Sequence, residues 1–155
     1  MKRAHLILTA LLSQLVLAGC SGMSLYGVIR SQVDDCDITP TGEFCSEEPP
    51  DVQIEEVFAV ELRDDGHTVV YFGDEAWVAK GVEGPREVVK EEKATRLPGP
   101  CTSTLRRELS FDIQGTSLTG TFQESTRVEG PPACGETPRG TRARYTLTGT
   151  QTNSI

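Results

Sequence analysis

The sequence predicts an all-β domain: a small antiparallel sandwich or meander barrel, stapled by disulfides and preceded by a disordered acidic tether. Three observations carry that expectation. In "TLRRELSFDIQG" the residues Leu105, Leu109, Phe111 and Ile113 alternate with Thr104, Arg106, Glu108, Ser110 and Asp112, the two-residue period of a half-buried strand. Similar segments recur at roughly even spacing, separated by turn signals such as Asp64-Asp65-Gly66 and Gln114-Gly115-Thr116, as in sandwiches and barrels. Finally, Cys36, Cys45, Cys101 and Cys134 follow a leader over residues 1–19 and Cys20, and an even set in an exported chain reads as two bridges.

The leader opens Met1-Lys2-Arg3 and runs apolar from Ala4 to Gly19, interrupted by His5, Thr9, Ser13 and Gln14. It is too short and too polar to span a bilayer, which takes about 20 apolar residues. A positive head, a brief apolar run and small residues at its end mark a signal peptide over residues 1–19. No 3.6-residue polar face appears, as a helix packed on a domain would require.

The leader closes with Leu17-Ala18-Gly19-Cys20, which resembles the lipobox of bacterial lipoproteins. The resemblance covers residues 1–20. It implies cleavage between Gly19 and Cys20, a diacylglycerol on the Cys20 sulfur and an acyl chain, such as palmitate, on the new amino terminus. One chain gives only marginal attachment, whereas two or three hold firmly. The implied partner is thus a lipid bilayer, reached through acyl chains on Cys20 without crossing. Ser21 in place of Asp implies, by the same resemblance, the outer membrane of the cell envelope. The competing reading, an ordinary secretory signal, leaves Cys20 as an unmatched fifth cysteine.

Residues 20–155 have the length of one domain. The whole chain holds 15 basic and 23 acidic residues, a net −8; without Lys2 and Arg3 the balance is 13 against 23, or −10. So acidic a chain is not expected to bind nucleic acid or to dock electrostatically on anionic lipid. The charge is also uneven: Asp34 to Glu61 contains acids and no basic residue, whereas arginines outnumber acids from Ala94 onward.

Residues 20–53 read as a flexible tether, rich in Ser, Gly, Pro and acids, that ends in "CSEEPPD". As a free coil it would average roughly 30 Å end to end. A calcium loop is the functional rival, from Asp35, Asp37, Thr39, Thr41 and Glu43. Pro40 and Ser46 occupy the positions where that loop needs Gly and Glu.

The globular part is placed at 54–155. Ile54, Phe58, Val60 and Leu62 share a strand face, with Glu56 as the exception. Asp64-Asp65-Gly66 suits a tight hairpin, "HTVVYF" returns, and "AWVAKGV" follows. Residues 86–97 fit a short helix or an exposed strand; their few apolar residues make no helical stripe, which favours strand. "SLTGTFQESTRV" and "TRARYTLTGT" add two more strands and share Leu-Thr-Gly-Thr, too short to establish a duplication. Arg107 breaks its strand's pattern by falling on the apolar face. It reads either as a barrel-end residue or as a buried partner for an acid.

Sequence leaves three disulfide connectivities open; Cys36–Cys45 and Cys101–Cys134 are favoured because each pair is local. The second bridge would close a loop of about 34 residues and remove roughly 3 to 4 kcal/mol of unfolded-state freedom. No metal site is expected, since the cysteine spacing is wrong for zinc and His67 is the one histidine after the leader. Nor is a catalytic constellation: His67 beside Asp64 and Asp65, with Ser103 or Ser110, makes only a nominal triad. Trp77, Tyr71 and Phe72 read as core, and Arg142 and Arg144 with Arg106 and Arg107 as a basic strip. Two readings remain, neither with a cofactor. One is a non-catalytic binding or structural module of the envelope, meeting an envelope protein or a small molecule. The other is a lipocalin-like carrier of a small apolar ligand, which needs a closed barrel with a vacant interior.

Overall fold

The computed structural model describes residues 22–48, 51–96, 100–135 and 139–152. The leader and Cys20 lie outside the described residues. Nine strands follow in order: β1 (Met23–Thr39), β2 (Gly42–Cys45), β3 (Gln53–Leu62), β4 (His67–Phe72), β5 (Glu75–Lys80), β6 (Arg86–Arg96), β7 (Cys101–Gln114), β8 (Ser117–Glu129) and β9 (Arg139–Thr152). A 3₁₀ turn, Pro132–Cys134, precedes β9.

All pairings are antiparallel, in the order β5-β4-β3-β1-β9-β8-β7-β6, with β2 added beside β1. Apart from β2, this is the sequence order of an up-and-down barrel. The first strand pairs with the last, and the circuit is broken only between β5 and β6, which touch without a shared backbone ladder. The barrel is nearly closed, as expected of the meander alternative. Residues 86–96 form a strand, and the Asp64-Asp65-Gly66 hairpin forms with Arg63 and His67 hydrogen-bonded across it.

The tether is corrected. Residues 23–39 are not a coil but β1, a central strand, and residues 42–45 form β2, so the β domain starts at Met23 rather than at residue 54. Two features of β1 hide it from the two-residue period. Its apolar residues fall on both faces: Tyr26 and Val28 are buried, while Met23, Leu25 and Ile29 lie on the outer face. Then a bulge between Gln32 and Asp34 exchanges the faces. Arg30 and Gln32 share the inward face of Leu147 and Tyr145, but Asp34 and Cys36 pair with the outward Arg144 and Arg142.

Both predicted disulfides are present, Cys36–Cys45 between β1 and β2, and Cys101–Cys134 between the start of β7 and the 3₁₀ turn. They lie at the same end of the barrel. There β1, β6, β7, β8 and β9 run on past the short strands β4 and β5, and the sheet projects as a stapled flap. Residues 35–46 of the nominal calcium loop are the β1–β2 hairpin of that flap.

The core is a ring of inward residues: Tyr26, Val28, Phe58, Val60, Val70, Trp77, Ala79, Leu109, Phe111, Leu118, Phe122 and Leu147. Across the bore Phe72 stacks on Phe58 at 4.5 Å and on Trp77 at 5.2 Å, and Phe122 meets Phe72 and Trp77 edge-on at 5.8 Å. Such geometries suit the ring quadrupoles. Tyr71 differs from the expectation for core aromatics; it lies on the outer side, its hydroxyl donating to Glu61 Oε2 at 3.0 Å.

The two Leu-Thr-Gly-Thr segments turn out to be neighbours in β8 and β9. Leu118 stands opposite Gly149, Thr119 opposite Thr148, and Gly120 opposite Leu147. Each glycine thus faces the other segment's leucine. At Gly120 the β7 backbone comes so close that an added Cβ would lie 2.2 Å from the Ser110 carbonyl oxygen and 2.9 Å from Phe111 Cα. Backbone, not a movable side chain, fills the space. Gly120→Ala is expected to destabilise the barrel by about 1–3 kcal/mol, as overpacking does. Gly27→Ala, whose Cβ would meet only Thr152 Cγ2 at 3.5 Å, should leave the urea midpoint nearly unchanged. Equal midpoints for the two variants would refute the close-approach account.

Candidate functional site

At the flap end the inward residues change from apolar to charged. Glu75 begins β5 and faces the unpaired edge of β6. It accepts a hydrogen bond from Lys90 Nζ at 2.6 Å and another from Arg107 Nη1. Arg107 Nη2 also donates to Glu92 Oε1 at 2.6 Å. The strands themselves place these groups. Lys90 and Arg107 are register partners in the β6–β7 ladder, so both head groups reach the same carboxylate across the open seam.

Aromatic faces line the same network. Lys90 Nζ sits 4.3 Å and Arg107 Cζ 5.8 Å from the Trp77 ring centroid. On the opposite wall, Arg30 lies between the rings of Phe122 and Tyr145, at 5.2 and 5.0 Å, and pairs with Glu56 at 2.9 Å. Alternating cations with rings lets partly desolvated charges keep favourable contacts on both sides. Trp77 Nε1, Arg30 Nε and Glu56 Oε2 are buried with no hydrogen-bond partner among the described residues. Polar groups so buried need a partner such as ordered water.

The electrostatics follow from these contacts. The hydrogen bond from Lys90, with that from Arg107, holds the Glu75 carboxyl below its usual range despite opposing burial. Burial opposes the charge on Arg107, but the Glu75 hydrogen bond and the surrounding carboxylates outweigh it and raise its pKa.

On the outer face of the flap, Arg142 and Arg144 converge on Asp34. Arg144 Nη2 lies 2.5 Å from Asp34 Oδ2, and Arg142 Nη1 lies 2.9 Å from Glu43 Oε1. Arg142 Nη2 also approaches the sulfurs of Cys36 and Cys45, at 3.3 and 3.8 Å. The basic strip foreseen from the sequence therefore divides. Arg106, Arg142 and Arg144 share the outer face, paired with Glu108, Glu43 and Asp34, and Arg107 points inward. Of its two expected roles Arg107 fills both: it stands at the barrel mouth and it partners acids.

His67 is not brought to a serine. Its Nδ1 lies 3.1 Å from Asp65 Oδ1, outside hydrogen-bond geometry, and its strand partner is Lys80. Ser103 and Ser110 lie on β7, between β6 and β8. Among the described residues no three His, Cys, Asp or Glu side chains gather as a metal site.

Glu75, Lys90, Arg30 and Glu56 were not singled out as a group from the sequence. The available signal was the pair of charged exceptions on otherwise apolar strand faces, Glu56 and Arg107; both belong to the cluster. No protein-family model and no curated protein matches this chain. Function must be argued from the geometry.

Because the folded-state pKa of Glu75 is depressed, its contribution to stability is present above the usual carboxylate value of 4.5 and is lost as pH falls through the lower, folded value. Glu75→Gln should therefore be less stable than the parent at pH 7. The gap should close below about pH 4.5 as the parent's carboxyl is protonated. Urea unfolding at stepped pH measures this; a gap independent of pH would remove the clasp from the account.

Proposed function

We propose that the protein is a lipid-anchored protein of the bacterial cell envelope, a non-catalytic binding or structural module held at the outer membrane through acyl chains on Cys20. The observation that carries the reading is the cysteine ledger. Cys36, Cys45, Cys101 and Cys134 are consumed in two disulfides, so the fifth cysteine is the one that ends Leu17-Ala18-Gly19-Cys20.

The start of the fold refines how such a molecule would sit. Gly22 already belongs to the barrel, its carbonyl accepting from Leu62 N at 3.3 Å. Only Ser21 lies between it and Cys20, so the two are at most about 7 Å of extended chain apart. The barrel would rest almost directly on the bilayer, with no stalk between. β1 then leads away from the surface for 17 residues, about 55 Å along the strand. The stapled flap, with Phe44 61 % exposed at its edge, is the far end and the part offered to an envelope protein.

The filled bore favours this module over a carrier. Phe58, Phe72, Trp77 and Phe122 occupy the cross-section that an apolar ligand would need.

Growth with a palmitate analogue tests the anchor. The parent chain is expected to take up label and to sediment with outer membranes, and the Cys20→Ser chain to do neither. Label on the serine variant would defeat the proposal.

A further inference from the structure

The end of the barrel opposite the flap holds a buried guanidinium that makes no direct ion pair with a described carboxylate. Arg86, the first residue of β6, is 4 % exposed. Its Nε donates to the Gly84 carbonyl at 2.9 Å and its Nη1 to Thr68 Oγ1 at 3.2 Å, while Thr68 passes its own proton to the Gly81 carbonyl at 2.7 Å. The Phe111 ring lies against the guanidinium, with its centroid 5.2 Å from Cζ. Nη2 makes no hydrogen bond to a described residue, and no described carboxylate forms an ion pair with Arg86. The acid that acts on it is Asp112, at longer range, its oxygens accepting from Ile113 N and Gln114 Nε2. A buried cation is ordinarily paired in direct contact; this one has no carboxylate within ion-pair distance among the described residues, and Asp112 and Tyr26 act on it only electrostatically.

A recess of about 130 Å³ opens onto the same group, lined by the buried Arg86, Tyr26 and Val60 and, towards solvent, by Leu62, Val82 and Ile113 with Ser24 as the one further polar residue. The Tyr26 hydroxyl donates no hydrogen bond to a described residue and lies within the electrostatic reach of Arg86. The recess therefore has one free cationic donor group, one free hydroxyl and apolar sides that open to solvent; Leu62 is 49 % exposed. We infer that this recess binds the head of an anionic amphiphile, a carboxylate or phosphate bearing an acyl chain, on Arg86 and Tyr26, with the chain leaving over Leu62 and Val82. A neutral polar ligand would leave the guanidinium uncompensated, and a bare anion would leave the apolar rim unused.

Charge-assisted bonds of this kind are about twice as strong as neutral ones, and a buried site strengthens them further. Burial pushes the Arg86 pKa below the ordinary arginine value, and the opposing pulls of Asp112 and Tyr26 do not make up for it. The recess depends on the barrel alone and not on the anchoring proposal. If that proposal also holds, Leu62, which bonds Gly22, brings the recess within a few residues of the acylated cysteine and of the membrane lipids around it.

Calorimetric titration of the full-length chain carrying Cys20→Ser separates the two ideas, because no acyl group is then attached. The probes are decanoate, dihexanoylphosphatidylglycerol, decanol and inorganic phosphate. Decanoate or the phosphatidylglycerol should bind at least about tenfold more tightly than decanol or phosphate, and Arg86→Gln should lose about tenfold, the worth of one charged hydrogen bond. Preference for decanoate assigns the site to free fatty acid, and preference for the phosphatidylglycerol to membrane lipid. Equal binding of decanol, no binding of either anionic amphiphile, or binding unaffected by Arg86→Gln would overturn the inference. Should Arg86→Gln fail to fold, Val82→Asp on the exposed rim replaces it: loss of binding supports the site and unchanged binding overturns it.

Discussion

Glu75 stands where a backbone ladder is missing. Every junction of the barrel but one is closed by main-chain hydrogen bonds, and at the exception, between β5 and β6, side chains do the closing. Lys90 and Arg107 meet the Glu75 carboxylate at one end of the seam. Arg86 reaches Thr68 of β4 at the other. Between them Trp77 packs into the core against Phe72 and Phe122. Exposed ion pairs are worth little, but these are only partly exposed, shared among three or four groups and flanked by rings. Both strands beside the seam would otherwise present free edges, which invite pairing with other chains. Lys80, Lys93 and Glu87 on the exposed faces of β5 and β6 add charge there.

The uneven charge of the sequence has a simple resolution in space. The acidic stretch around Asp34 and Glu43 is not a stalk repelled from its surroundings. It lies beside β9, where Arg142 and Arg144 neutralise it from about a hundred residues away in sequence. The acidic front and basic back of the chain are therefore two sides of one junction. That junction also carries the first disulfide, whose sulfurs lie against Arg142.

How much of this was legible depended on whether a residue's role was local. The alternation in β7 and the turns around Gly66 and Gly115 are local, and both can be read directly. Glu56 and Arg107 were visible as charges on the wrong face, which is how a polar cluster inside a barrel looks in one dimension. β1 was hidden because the bulge after Gln32 breaks its period and because acids there suggested solvent. Arg86 and Lys90 looked like ordinary members of a charged run; only the closure of the sheet turns them inward. The pairing of the two Leu-Thr-Gly-Thr segments needs the register of β8 against β9, and nothing local supplies it.

The ladder between β1 and β9 joins the earliest strand to the last. Contacts so distant along a chain are slow to form because the intervening segment must be ordered first. Met23 to Thr39 therefore has no complete set of neighbours until the final strand has left the ribosome. Hairpins such as β3–β4–β5 and β6–β7–β8 can pair as they emerge, but the ring itself has to wait for its two ends to meet.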